Sequence, residues 1–224
     1  MRKLWRENSL SLVFLALFLA ALAGQAFAGW HDYNNDAVTH HQQTLTLGRY
    51  LVSSAFGNAV MENWQSEYLQ FTLYILLTVW FVQKGSPESK LLDKRGSESD
   101  EDQSVGEHAR PDSPRWARVR GLRLWIYSNS LVLVMGAIWL GSWCAQSVTG
   151  WSEYSADQLA HGEHRVGYWQ YLGSARFWES TLQNWQSEFL AVGSMAMLAI
   201  YLRQRGSPES KPVGAPHSAT GIEG

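Results

Sequence analysis

Asn63-Trp64-Gln65-Ser66-Glu67-Tyr68 precedes an apolar run that ends at Gly85-Ser86-Pro87-Glu88-Ser89-Lys90. Both stretches return 121 positions later, as Asn184-Trp185-Gln186-Ser187-Glu188-Phe189 and Gly206-Ser207-Pro208-Glu209-Ser210-Lys211. The equal offset leaves no room for an insertion between the two motifs. The same offset pairs Asn8-Ser9-Leu10 with Asn129-Ser130-Leu131, Gly29-Trp30 with Gly150-Trp151, and Tyr33 with Tyr154. It also pairs Asp36 with Asp157, His40 with His161, Tyr50 with Tyr171 and Ser53 with Ser174. Such a register reads as a tandem duplication, so every element is expected twice.

Working outward from the motifs, the apolar residues fall in four blocks. The expected spans are about 10–28, 64–83, 124–147 and 185–204. About 20 apolar residues cross about 30 Å of hydrocarbon as a helix. The second and fourth blocks reach that length only if their helices continue back through Trp64 and Trp185. Phe56, Val60, Trp64, Tyr68, Phe71 and Ile75 follow helical spacing, which supports the continuation. Ser53 and Ser174 are candidate N-caps. Gly85 and Gly206 are candidate C′ residues, with Pro87 and Pro208 as stops. The helices are therefore expected over about 54–83 and 175–204.

Orientation follows from the basic residues. Arg2, Lys3 and Arg6 precede span one, a basic cluster from Lys84 to Arg123 separates spans two and three, and Arg203, Arg205 and Lys211 follow span four. The loops 30–53 and 150–174 hold only Arg49, Arg165 and Arg176 just beyond. The positive-inside rule places both termini and the middle segment in the cytoplasm. The expected fold is an all-α integral membrane protein of four transmembrane helices, built from two parallel helical-hairpin repeats. A rival reading takes residues 1–28, ending in Ala26-Phe27-Ala28, as a secretory signal with its cleavage site. Against it, the corresponding element of the second copy is internal.

The domains are then repeat 1 over 1–90, a cytoplasmic disordered tether over 91–123, repeat 2 over 124–211 and a disordered tail over 212–224. Ser, Asp, Glu, Arg and Gly dominate the tether, a composition too poor in apolar residues for a core. Twelve Trp residues, many at block ends, suit an aromatic belt at the membrane interfaces. The net charge of −2 identifies no partner, because the two signs are segregated along the chain. The single cysteine, Cys144, excludes an intrachain disulfide.

The chain resembles an uncharacterised family of small bacterial transmembrane proteins, members of which carry a domain of unknown function. The resemblance rests on Asn-Trp-Gln-Ser-Glu before a hydrophobic helix, Gly-Ser-Pro-Glu-Ser-Lys after it, and Tyr154-Ser155-Ala156-Asp157-Gln158-Leu159-Ala160-His161-Gly162 in the outer loop. It covers nearly the whole chain except the tether. It implies a membrane location and a bacterial source, and brings no reaction, ligand or catalytic residue.

Two constellations are candidate sites. The first is a polar intramembrane set: Asn63, Glu67 and Gln70, continued by Tyr74, with Asn184 and Glu188 in copy two. These positions share one helical face, and pseudo-twofold packing would bring the two carboxylates together. An ionisable group at membrane depth is costly unless paired or hydrated, which suits proton or cation handling. The plainer reading is a carboxylate that snorkels to water or bonds an indole. The stripe shortens in copy two, where Ala191 and Met195 take the deeper positions.

The second is a pair of outer-loop couples, Asp36 with His40 and Asp157 with His161. Residues at i and i+4 share a helix face and bond locally. His41 and His164 lie nearby, but neither is duplicated, so the expectation is a local capping pair and no metal site. Ala16, Ala20, Ala21, Ala23 and Gly24 form a small-residue face on span one, read as packing within the bundle.

No phosphate loop, nucleophile elbow or nucleic-acid surface is present in the sequence. The expected partners are the lipid bilayer and a homo-oligomer or membrane protein; no cofactor and no catalytic residue is assigned. The functional expectation is a structural, accessory or envelope-stress protein of the cytoplasmic membrane, without turnover. The alternative is a small proton or cation transporter using Glu67 and Glu188. A membrane enzyme using the Asp–His pairs is a distant third.

Overall fold

Asn8 and Asn129 set the first feature of the fold, a backbone break near the start of each long apolar helix. The computed structural model describes residues 2–222 and is all-helical there, with seven α-helices and no strand among the described residues. Helix α1 runs Arg2–Thr39 with a non-helical Asn8 at φ −134°, ψ 22°. At the matching position, Asn129 (φ −112°, ψ 12°) separates α4, Leu122–Ser128, from α5, Ser130–Ala160. The Asn8 amide donates to Leu4 O at 3.2 Å and the Asn129 amide to Trp125 O at 2.8 Å. A short polar side chain that bonds its own backbone competes with the helix ladder, which is why the bend falls here.

The remaining elements repeat as well. Short helices α2 (Leu47–Leu51) and α6 (Tyr168–Leu172) precede the long helices α3 (Ser54–Leu77) and α7 (Ala175–Tyr201). The Ser53 hydroxyl accepts from Phe56 N at 3.3 Å, the N-cap the sequence predicts for α3. Helices α3 and α7 continue back through Trp64 and Trp185 as expected, but stop short of residues 83 and 204. Thr78 Oγ1 donates to Tyr74 O at 2.7 Å and Ile75 O at 3.2 Å, adding a side-chain bond to carbonyls of the last turn of α3. The Arg203 guanidinium does the same at the end of α7, bonding Ala199 O, Ile200 O and Leu202 O. Gly85 and Gly206 adopt left-handed φ of +88° and +82°, so they serve the turns that follow rather than the helix ends themselves.

Two helices are long and apolar enough to cross a membrane, over Lys3–Thr39 and Ser130–Ala160. Helices α3 and α7 carry more polar residues and do not reach that composition over 18 residues. Large apolar side chains such as Leu10, Phe14, Leu17, Leu131 and Val134 are exposed. The buried set includes Gln65, Ser66, Gln146, Thr181 and Lys211.

The described chain forms two compact units. The first comprises residues 2–61 and 145–174. Here the repeated loop residues act as joints. Trp30 Nε1 donates to Leu45 O at 2.6 Å, and Trp151 Nε1 donates to Val166 O at 2.7 Å. Tyr33 packs on Tyr50 and Tyr154 on Tyr171, each pair with ring centroids 5.8 Å apart. A Cβ at Gly29 would collide with the Tyr50 hydroxyl, and one at Gly150 with the Tyr171 hydroxyl. Glycine stands at both places because the tyrosine occupies the space of a side chain.

The second unit comprises residues 62–144 and 175–222. Trp143 is its aromatic centre, stacked on Trp139 with centroids 6.1 Å apart and in contact with Phe177, Trp178 and Trp185. Those four tryptophans contact one another in a single cluster, in which Trp178 stays exposed. Residues 91–121 fold into turns and three short 3-10 helices, Leu92–Lys94, Gly106–His108 and Arg115–Arg118. The small-residue face on α1 differs from expectation: Ala16, Ala20, Ala21, Ala23 and Gly24 are all exposed, and a Cβ at Gly24 would meet nothing within 4 Å.

Candidate functional site

The Asn-Trp-Gln-Ser-Glu segments meet in the second unit as a polar seam between α3 and α7. Asn184 Nδ2 donates to Glu62 Oε1 at 2.9 Å and to Ser180 O at 2.9 Å. Trp185 Nε1 donates to Gln65 Oε1 at 2.7 Å. Gln65 Nε2 in turn donates to Glu62 O at 3.1 Å, so both ends of its amide are engaged. Gln65 is fully buried and Ser66 nearly so, and the Ser66 hydroxyl donates to Asn63 O at 2.9 Å. A buried amide with donor and acceptor both satisfied holds two helices in one register.

The predicted intramembrane set sits around this seam. Asn63 and Glu67 are exposed, and Gln70, Tyr74, Asn184 and Glu188 are half-buried. Glu188 lies within hydrogen-bonding range of Ser66 and in the electrostatic field of Glu67. The seam thus brings Asn184 and Glu188 to α3, while the positions of α3 that turn inward are Gln65, Ser66 and Leu69. Sequence reasoning passed over Gln65 because it favoured the ionisable neighbour. The signal was its place inside the repeated motif. The Tyr74 hydroxyl donates to Glu88 in the following turn.

The predicted outer-loop couples form in the first unit. His40 Nδ1 lies 3.2 Å from Asp36 Oδ1 and 3.0 Å from Asp36 O. His161 Nδ1 lies 3.4 Å from Asp157 Oδ1 and 2.9 Å from Asp157 O. Each histidine stands one residue past the end of its long helix, α1 or α5. The two imidazoles also meet each other edge to face, with centroids 5.5 Å apart. That meeting of the two couples was not visible in the sequence. Beside it, Tyr50 is buried, and loss of hydration, then the charges of Glu153 and Asp32, raise its phenol above the ordinary tyrosine range.

The Gly-Ser-Pro-Glu-Ser-Lys turns are built alike in both copies. Ser89 Oγ accepts from Gln83 N at 2.8 Å, and Ser210 Oγ accepts from Gln204 N at 2.9 Å. Their lysines diverge. Lys90 Nζ pairs with Glu98 Oε1 at 2.9 Å. The Lys211 ammonium, 1% exposed, shares its three N–H groups among four main-chain carbonyls: Gly85 O at 2.7 Å, His217 O at 2.9 Å, Ala219 O at 3.2 Å and Pro216 O at 3.3 Å. Thr220 Oγ1 accepts from Gly85 N at 2.8 Å and Gly221 N donates to Ser86 O at 3.0 Å, tying residues 216–221 to the first turn.

A family model described as a domain of unknown function, DUF6766, matches residues 1–222. The chain belongs to the DUF6766 family. No curated protein and no solved structure matches it. Among the described residues of this DUF6766 protein, no three His, Cys, Asp or Glu side chains gather where they could hold one metal ion.

Proposed function

We propose that this protein is a structural or accessory component of the cytoplasmic membrane, working through its assembly rather than through turnover. It crosses the bilayer four times as two parallel hairpins, with both termini and the middle segment in the cytoplasm. The observation that carries this reading is where the repeated residues are spent. Asn184 and Trp185 hold Glu62 and Gln65, Trp30 and Trp151 hold loop carbonyls, and Gly29 and Gly150 admit tyrosine hydroxyls. These side chains are committed to internal joints, and a surface for a partner or a second copy remains on the exposed apolar helices. Leu10, Phe14 and Leu17 on α1, and Leu131 and Val134 on α5, support a lipid-facing side. The basic clusters beside the spans support the orientation.

Topology is tested by replacing Cys144 with Ser and placing single cysteines at Gln43, Ser104 and Ser218. In intact cells a membrane-impermeant maleimide should label only Gln43→Cys. Labelling of Ser104→Cys without lysis removes the four-span reading. Cross-linking in the native membrane, followed by mass spectrometry, should recover a specific membrane-protein partner or a second copy.

A second reading, a small proton or cation transporter, is favoured by the proximity of Glu67 and Glu188. Its test is flux in liposomes. Proton or monovalent-cation flux that disappears in Glu67→Gln/Glu188→Gln would replace the accessory reading, and absence of flux would retire the transporter.

A further inference from the structure

We propose that His40 and His161 together form an outward-facing binding site for one divalent transition-metal ion of the zinc, copper or nickel class. The inference goes beyond the accessory role; its outward placement rests on the proposed topology, while the pairing of the two histidines does not.

The surroundings of each imidazole favour one tautomer of the neutral ring. His40 Nδ1 faces the carboxylate and carbonyl oxygens of Asp36, and His161 Nδ1 faces those of Asp157. Oxygen acceptors of this kind require a hydrogen on Nδ1. The lone pair of each neutral ring then lies on Nε2. A ligating histidine almost always gives its other N–H to a carboxylate or carbonyl, which fixes the ring and raises its basicity. That outer-shell arrangement is present here twice.

The spacing agrees with a shared ion. With Zn–N bonds of about 2.0–2.1 Å, two imidazole centroids on one tetrahedral ion stand about 5 Å apart. The observed centroids are 5.5 Å apart with planes at 63°. The separation is compatible with one shared ion once the two half-exposed rings turn their Nε2 atoms toward each other. Imidazole nitrogen selects zinc, copper and nickel over the oxygen-seeking magnesium and calcium.

Charge also fits. Asp36 and Asp157 offset the two charges of the ion without touching it. The C-terminal ends of α1 and α5, immediately before the histidines, add partial negative charge. Because no third protein ligand gathers among the described residues, water completes the coordination. The site is then an exchangeable one, open to ions outside the cell, rather than a closed structural centre. Its position joins the end of the first copy's helix to the end of the second's. An ion bound there would link α1 to α5.

The test uses the full chain in detergent, with any affinity tag removed. It is dialysed separately against micromolar Zn²⁺ and Cu²⁺, and bound metal is counted by mass spectrometry. Electron paramagnetic resonance of the Cu²⁺ form reads the number of coordinated nitrogens and needs no variant. One ion per chain with two imidazole nitrogens is expected. His40→Gln and His161→Gln should each abolish stoichiometric binding. Asp36→Asn and Asp157→Asn should weaken it about 10–100-fold. His41→Gln and His164→Gln should leave it unchanged. Absence of binding, a spectrum with no nitrogen or only one, or full binding by the His40→Gln/His161→Gln double variant would overturn the proposal.

Discussion

The indole N–H of Trp185 is bonded to the side-chain oxygen of Gln65 at 2.7 Å, across two helices that the sequence separates by 120 residues. Gln65 is completely buried, so its carbonyl has no water to fall back on. Trp185→Phe keeps one aromatic ring but removes the donor together with the indole's five-membered ring. The expected cost is about 1–3 kcal/mol, the penalty for an unsatisfied buried acceptor. Adding Gln65→Leu should recover part of it, because no orphaned carbonyl remains. Thermal unfolding of the four proteins of this cycle in one detergent measures the coupling. Strict additivity would show that the bond does not hold α3 to α7.

Gly29 and Gly150 should be intolerant of a single methyl group. A Cβ at either position would overlap a tyrosine hydroxyl, and at Gly150 it would also lie 2.8 Å from Asn58 Oδ1. Gly29→Ala and Gly150→Ala should each destabilise by about 1–3 kcal/mol through overpacking. Gly24→Ala, in open space on the same helix as Gly29, should be neutral or stabilising. A loss of melting temperature in all three would point to backbone effects instead of the tyrosine contact.

Tyr50 makes stability depend on alkaline pH. Its folded-state phenol ionises above the ordinary value, because burial and the nearby Glu153 and Asp32 disfavour the anion. The unfolded chain releases this proton near pH 10 and the folded chain holds it longer. The Tyr50 contribution is therefore fully present below about pH 10 and is lost as pH rises through the folded-state value. Between pH 9 and 11 the wild type should lose stability more steeply than Tyr50→Phe. Parallel slopes would mean that the phenol ionises alike in both states.

Lys211→Met should release the end of the chain. The substitution keeps an apolar stem and removes the donor to the carbonyls of Gly85, Pro216, His217 and Ala219. Amide exchange at Gly85 and Gly221 should then accelerate together, since both bonds belong to the same closure. Lys90→Met should leave those amides protected, because Lys90 serves Glu98 instead. Hydrogen exchange read by mass spectrometry distinguishes the two.

The repeat was legible because it is covalent: identical residues at one offset require no knowledge of packing. Short-range chemistry was legible too. Ser53 caps α3, and the Asp–His couples close over four residues, since their partners are near in sequence. Helix ends were less so. Thr78 and Arg203 bond the carbonyls of the last turns, and apolar periodicity does not register such polar contacts. The inward face of the seam was not legible. Charge singles out Glu67 in the sequence, whereas the helix turns the neutral Gln65, two positions earlier, inward. The Lys211 cage had no signature, because its acceptors are main-chain carbonyls that every residue carries.

The length of α1 has a mechanical consequence. From Ser9, just past the break at Asn8, to Thr39 the helix extends about 46 Å at 1.5 Å per residue. Hydrocarbon accounts for about 30 Å of that. In a bilayer the remainder stands proud of the lipid as a rigid post, with its opposite end free to hinge at the asparagine. The tryptophan and tyrosine joints would then ride above the headgroups like a platform on struts. Under the proposed topology that platform lies in the outer compartment, where a soluble protein can grip it without entering the membrane.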